Sequence, residues 1–274
     1  MEPEVDLTGH WLDGDVLHIG AIKVGAGARI GTRSTLGPGA VVGKRAEVAP
    51  GSAVLGTVTR GESWSGSPAE SIGTARGPWS SERPPRRRRW VAAYVAISAV
   101  IAMLPLLASL AGLAVLLPVL DRADSITGAA LRALPLLPVS AVVSVVTLAA
   151  LVLALVRVLA LGLEPGHYPM HSRRALQAWA TLRVLDEART WLFPLYASWL
   201  TPVWLRLLGA RVGREVEAST VLLIPHLTTV NDQAFLADDT LIGSYELGGG
   251  WLRVERVKIG KRAFVGNSGM GTAS

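Results

Sequence analysis

His226 is the one histidine beyond residue 171. An imidazole that titrates near neutrality, within hydrogen-bond reach of an amine or hydroxyl, can take its proton, so His226 is the candidate general base. Asp232, Asp238 and Asp239, with Asn231 and Glu246 nearby, make the same region acidic in places. Such a surface would draw a diffusible cationic amine, and the three aspartates are the candidate substrate-binding residues. Ordinary solvated turns account for the same histidine and acids, so both readings stand at this point. Other chemistries are excluded or unsupported. His10 and His18 lack the third ligand that a zinc site would need, and Gly248-Gly249-Gly250 lacks the following Lys-Ser/Thr of a phosphate-cradling loop. Cysteine is absent, which removes disulfides, thiol nucleophiles and thiolate metal sites.

The elements that must position these residues announce themselves by a period of six. Val24, Ile30, Leu36, Val42, Val48 and Val54 are branched aliphatics six apart. Four residues after each of the first five stands a small side chain: Ala28, Ser34, Ala40, Ala46 and Ser52. This is the hexapeptide pattern of a left-handed parallel β-helix, in which three hexapeptides complete one triangular coil. Val24 is expected to stack on Val42, Ile30 on Val48 and Leu36 on Val54, with position 47 facing solvent. Gly25, Gly31, Gly37 and Gly43 are expected to serve the tight corners. The repeat closes at Trp64-Ser65-Gly66-Ser67-Pro68-Ala69, which is similar to the exit turn of hexapeptide acyltransferases. The period returns at Val212, Ala218, Ile224, Val230, Leu236 and Ile242 and resumes, after a less regular coil, at Ile259 and Val265. Within this second lobe His226 is expected beside Leu208 and Ser244, away from both Asp232 and Asp238. The lobes hold fewer coils than solenoids ordinarily need, so the chain reads as a piece of something longer.

Between the lobes lies a segment of a different kind. Between Arg89 and Asp121 there is no ionisable side chain but Tyr94, and between Arg132 and Arg157 there is none. Both windows exceed the roughly 20 apolar residues that span a hydrocarbon core. Residues 90–163 are therefore expected to form a transmembrane hairpin rather than a very apolar soluble one. Residues 73–89 carry six arginines against one acid, and the 121–132 loop balances two arginines with two aspartates. The positive-inside rule then puts both lobes in the cytoplasm of a bacterial cell and the loop outside. The apolar run lies too far from residue 1, and runs too long, for a signal peptide. A mean hydropathy of +0.39 agrees with a membrane protein, and the net charge of +6 points to anionic lipid rather than nucleic acid.

The fold class expected is thus mixed: an incomplete hexapeptide lobe over 1–72, a basic linker over 73–89, the hairpin over 90–163, amphipathic or interfacial helices over 164–210, and a second incomplete lobe over 211–274. In the helical part Ser172 starts a helix that Pro194 ends or kinks. Thr201 as N-cap, Pro202 and Gly209 bracket another. The aromatics Trp179, Trp191, Phe193, Tyr196, Trp199 and Trp204 crowd this region, either as an interfacial belt or as a helical cap.

One stretch carries a resemblance: Leu182-Arg183-Val184-Leu185-Asp186-Glu187-Ala188-Arg189-Thr190-Trp191-Leu192-Phe193-Pro194-Leu195-Tyr196, continued by Glu217-Ala218-Ser219-Thr220-Val221-Leu222-Leu223-Ile224-Pro225 and Ala237-Asp238-Asp239-Thr240-Leu241-Ile242-Gly243. It resembles the C-terminal membrane and β-helix region of the ε-poly-lysine synthetase type of nonribosomal peptide synthetase. The resemblance implies amide or isopeptide bond formation from a carrier-bound aminoacyl thioester to a small amine or amino acid acceptor. It also implies adenylation and carrier domains, in cis or in trans, with ATP and phosphopantetheine belonging to them. This chain has no adenylation or carrier motif and no His-His-x-x-x-Asp-Gly. A membrane-anchored acyltransferase using acyl-CoA and a non-catalytic membrane scaffold remain as alternatives, and a homo-oligomer stays open.

Overall fold

The computed structural model describes residues 2, 4–75, 82–121 and 125–272. Residues 76–81 of the basic linker and 122–124 of the loop, on which part of the orientation argument rests, lie outside the described residues. The chain divides into two units, Met1–Pro84 with Glu246–Arg253, and Pro85–Tyr245 with Val254–Ser274.

The first unit is a three-sided parallel coil, and its register is the one the hexad implies. Val24 pairs with Val42, Ile30 with Val48, and Leu36 with Val54. Ile30, Leu36, Val42, Val48 and Val54 are buried, and Ala40, Ala46, Ser34 and Ser52 fill the space behind them. The period gives out after Val54. Val58 stacks on Val42 and Trp64 on Val48, so the last coil is two residues short. From Trp64 the chain turns back as an antiparallel hairpin, Glu62–Gly66 against Ala69–Thr74. Asp6–Leu7 extends the third face, pairing with Thr35–Leu36. His10–Asp13 and Val16–Ile19, ahead of the hexad, form an exposed hairpin.

The glycines do something other than turn corners. The left-handed corners of the repeat include Gly27, Arg33, Gly39, Arg45 and Gly51, each three places after an inward aliphatic. Gly31 instead lies against the next coil, where a Cβ would fall 2.5 Å from the backbone nitrogen of Pro50. Position 47 is also more covered than its outward register implies. Burial raises the Glu47 pKa, Arg29 opposes that rise, and Glu246 of the same unit adds to it.

The second unit begins with α1, Arg88–Leu120. Beyond the loop come α2, Ile126–Ala133, and α3, Leu137–Leu159. The segments Arg88–Leu120 and Ile126–Leu159 are both long and apolar enough to cross a membrane. At 1.5 Å per residue α1 is about 50 Å long, more than a hydrocarbon core requires. α1 and α3 touch through Gly112: the Ser140 hydroxyl donates to its carbonyl at 2.8 Å. A Cβ there would lie 2.7 Å from the Ser140 carbonyl oxygen, so only glycine fits.

α4, Arg173–Trp191, is capped by the Ser172 hydroxyl, which accepts from the Ala175 amide. It packs on α1 and α3 on one side and on the second coil on the other, which is why it buries Ala175, Ala178, Thr181, Val184, Leu185 and Ala188. Pro194 stands in a separate short turn, α5, Phe193–Tyr196. The last helix, α6, covers Thr201–Leu208 and ends at Gly209 with φ 112°. Thr201 is not its N-cap, as the sequence suggested. Leu200 holds that place, and the Thr201 hydroxyl donates backwards to the Tyr196 carbonyl at 2.6 Å.

The second coil keeps the hexad with two departures. Val212 pairs with Val230, and Ala218 with Leu236, as expected. On the third face Leu223 rather than Ile224 pairs with Ile242, because the 3-10 turn Pro225–Leu227 takes up one extra residue. The irregular coil foreseen before Ile259 is instead an excursion of paired strands, Tyr245–Gly248 and Trp251–Val254. Its turn is made by Gly249 and Gly250, both with positive φ. The coil resumes with Val230 on Ile259 and Leu236 on Val265.

Candidate functional site

Where α4 lies against the second coil, Asp186, Arg189, Thr190, Phe193, Thr220 and Asp239 line an open cleft of about 310 Å³. Asp186 and Arg189 are one helical turn apart and so share a face of α4. Thr220 and Asp239 come from stacked corners of the coil, where the Asp239 amide donates to the Thr220 hydroxyl at 2.8 Å. Asp239 occupies the left-handed corner position, with φ 53°, which an aspartate tolerates better than most residues. The corner geometry therefore aims its carboxylate at the helix.

Arg189 ties the two elements together. It donates to Asp239 Oδ1 at 2.9 Å, to the Thr220 carbonyl at 3.2 Å, and to Asp186 Oδ1. Arg183 also reaches Asp186, at 3.7 Å. Burial would depress the Arg189 pKa, but the bonds to Asp186 and Asp239 outweigh it and raise the value. Its guanidinium is thus a fixed charge already spent on its neighbours. The cleft presents carboxylate oxygens and the partly exposed ring of Phe193 to a ligand. That chemistry suits an ammonium group better than an anion.

Of the residues chosen from sequence, Asp239 is in this cleft. Asp238 stands beside it, exposed, and hydrogen-bonds the Ser219 hydroxyl. Asp232 is elsewhere, its Oδ1 accepting from the Arg214 amide at 2.9 Å across stacked turns. His226 is half-buried and does not line the cleft. Its Nε2 donates to the Leu163 carbonyl at 2.9 Å, and its Nδ1 is enclosed with no hydrogen-bond partner among the described residues. Burial lowers its pKa, with Arg256 adding to that and the hydrogen bond and Glu164 opposing it. Asp186 and Arg189 were not singled out as site residues. A charged pair at i, i+3 reads as a solvated helix face until the coil corner that covers it is known. Among the described residues, no three or more His, Cys, Asp or Glu side chains cluster as metal ligands would.

No protein-family profile matches the chain. It is 37% identical over 121 residues to the delta-poly-L-ornithine synthetase of Acinetobacter baumannii (strain AB307-0294), a match that covers 43% of this chain and 9% of the relative. The chain thus resembles a poly-amino-acid synthetase, of which the match covers under a tenth. Among solved structures, a hexapeptide-repeat acetyltransferase of Vibrio cholerae O1 biovar eltor, complexed with acetyl coenzyme A, overlaps 27% of this chain and 48% of its own, at 18% identity and a TM-score of 0.25. The N-acyltransferase AntD of Bacillus cereus overlaps 36% and 55%, at 15% identity and a TM-score of 0.26. The repeat architecture described above rests on strand register and not on these slight overlaps.

Proposed function

We propose that this chain is the membrane-embedded, C-terminal portion of a single-module nonribosomal peptide synthetase that joins amino acid monomers by amide or isopeptide bonds. The observation that carries this is the 37% identity over 121 residues to a delta-poly-L-ornithine synthetase. In the reaction an acceptor amine attacks a carrier-bound thioester carbonyl. A C–N bond forms, the C–S bond breaks, and the proton lost by the amine ends on the departing thiol. Adenylation and carrier domains, with their ATP and phosphopantetheine, supply the activated acyl group. This chain's part is to hold the acceptor and to keep the assembly at the membrane. Asp186 and Asp239 receive the acceptor's ammonium, while His226, with one ring nitrogen engaged and the other enclosed, secures the segment after α3 to the coil. The coils are left-handed, α1 and the α2–α3 segment cross the bacterial cytoplasmic membrane, and both lobes lie in the cytoplasm.

The purified full chain in detergent, given an aminoacyl-carrier protein and a free amine, is expected to form the amide seen by mass spectrometry. Given only free amino acid and ATP, it is expected to form none. Polymer made from ATP and amino acid by this chain alone would overturn the proposal. A second reading, a membrane-anchored acyltransferase using acyl-CoA, is favoured by the hexapeptide coils and the Trp64-to-Ala69 exit turn. Transfer from acetyl-CoA to a sugar or amine, with no transfer from the carrier, would select it.

A further inference from the structure

We propose that α6 and the turn before it lie along the lipid surface, with Trp199, Val203 and Leu207 inserted at the headgroup level. This rests on the reading that α1 and α3 cross a bilayer.

Two observations carry it. The first is the distribution of apolar side chains. α6 buries Thr201, Pro202, Trp204, Leu205 and Leu208 against the rest of its unit. Yet its exposed side carries Val203 (43% exposed) and Leu207 (49%), four residues apart on one line of the helix, while the exposed Arg206 between them turns its guanidinium back to the Val212 and Gly213 carbonyls. Trp199, 83% exposed, stands in the turn just before the helix and extends this apolar stripe. A helix facing water would carry polar residues there, and a tryptophan at that position is the side chain most suited to a membrane interface.

The second observation fixes the depth. Arg157, in the last turn of α3, donates from Nε to the carbonyl of Leu207 at 2.8 Å. No ionisable side chain stands between Arg132 and Arg157, so Arg157 marks the end of the apolar run in the Ile126–Leu159 segment, and the 20 residues from Leu137 to Arg157, about 30 Å, are enough to cross a hydrocarbon core. Leu207 is therefore held where the span ends. Arg157 itself suits that level, since a long cationic side chain at a helix end reaches for the headgroups. The stripe and the depth coincide, and a phospholipid surface is the occupant that satisfies both.

The chain has no cysteine, so single labels can be placed without interference. Trp199→Cys, Val203→Cys, Val146→Cys and Phe264→Cys, each in the full chain, would carry a nitroxide in phosphatidylethanolamine–phosphatidylglycerol vesicles. Val146 lies in α3 and Phe264 on the second coil, and both are exposed. Collision with oxygen, which partitions into lipid, is compared with collision with a water-soluble nickel chelate. The oxygen-to-nickel ratio at 199 and 203 is expected to be several-fold above that at 264 and below that at 146. If 199 and 203 match 264 while 146 remains lipid-exposed, the interfacial placement fails and the spanning reading survives. Nickel access at 146 would remove the spanning reading and this inference with it. Labels at 199 and 203 shielded from both reagents would show a protein partner on the stripe, which also overturns it.

Discussion

Replacing Arg189 with methionine keeps an unbranched stem of similar reach and removes the guanidinium that ties α4 to the second coil. The bond to the Thr220 carbonyl is worth about 1 kcal/mol net. The carboxylates of Asp186 and Asp239 are more than a third exposed, so each of those pairs, screened by water, contributes about 0.5–1 kcal/mol. The substitution should therefore cost about 2–3 kcal/mol. For a unit of this size each kcal/mol moves Tm by about 2–4 °C, which gives a fall of about 4–12 °C. Thermal unfolding in detergent, followed by tryptophan emission, would measure it. Pairing the change with Asp239→Asn makes a double-mutant cycle, in which the combined loss should be smaller than the sum of the two. A shift within about 1 °C for Arg189→Met alone, or strict additivity with Asp239→Asn, would refute the idea that this ion cluster joins helix to coil.

Three further outcomes are expected. Val48→Asp puts a lone carboxylate inside the first coil at a cost of several kcal/mol and should abolish hydrogen-exchange protection of strands Arg29–Ile30 and Glu47–Val48, whereas Glu47→Gln should leave it; equal damage from both would contradict the register. Gly112→Leu overpacks the contact with Ser140, for which about 1–3 kcal/mol is typical, and should lower the detergent denaturant needed to unfold the helical pair; an unchanged midpoint would show that the helices do not meet there. His226 has a folded pKa below its usual value, so the unfolded chain binds the proton more readily. That stability contribution is present above the ordinary histidine range and is lost as pH falls through the folded pKa. Unfolding temperatures near pH 7 and near pH 5 should therefore differ less in His226→Gln than in the parent, and identical acid sensitivity would refute it.

The hexad is legible because one class of side chain must point inward at fixed intervals, and six consecutive matches leave little freedom in register. The same rule could not see the slip on the third face, since Leu223 and Ile224 are both branched aliphatics and only the 3-10 turn at Pro225 decides between them. Nor could it separate two duties of glycine. The positions after the inward aliphatic give room for the neighbouring coil, while the left-handed corners fall two residues later and accept Arg33 and Arg45. Gly112 passed unmarked because its neighbours, Ser140 and Ser144, are near it only once α1 and α3 have folded against each other. The cleft was half legible. Asp239 carries a charge where a surface is acidic, but its partners lie 50 residues away on α4 and declare themselves only through packing. His226 had the right chemistry for a base, and its burial beside the Leu163 carbonyl is a matter of tertiary structure that no spacing rule encodes.

The first unit is discontinuous in sequence, since Glu246–Arg253 belongs with Met1–Pro84. In it Glu246 contacts Arg29, and the Leu247 amide donates to Glu2. This has a consequence in time. A chain grows from its N-terminus at about 5–20 residues per second, so the coil around Ile30 and Val48 is made long before the hairpin that completes its unit. For roughly 10–40 seconds at that pace, Glu2 and Arg29 have each other but not residues 246–253. Biosynthesis thus passes through a stage in which the two apolar helices must be accommodated while the first unit is still missing that hairpin. A ribosome stalled before residue 246 should display the hairpin's seat open, and protease sensitivity there should fall once the hairpin has been added.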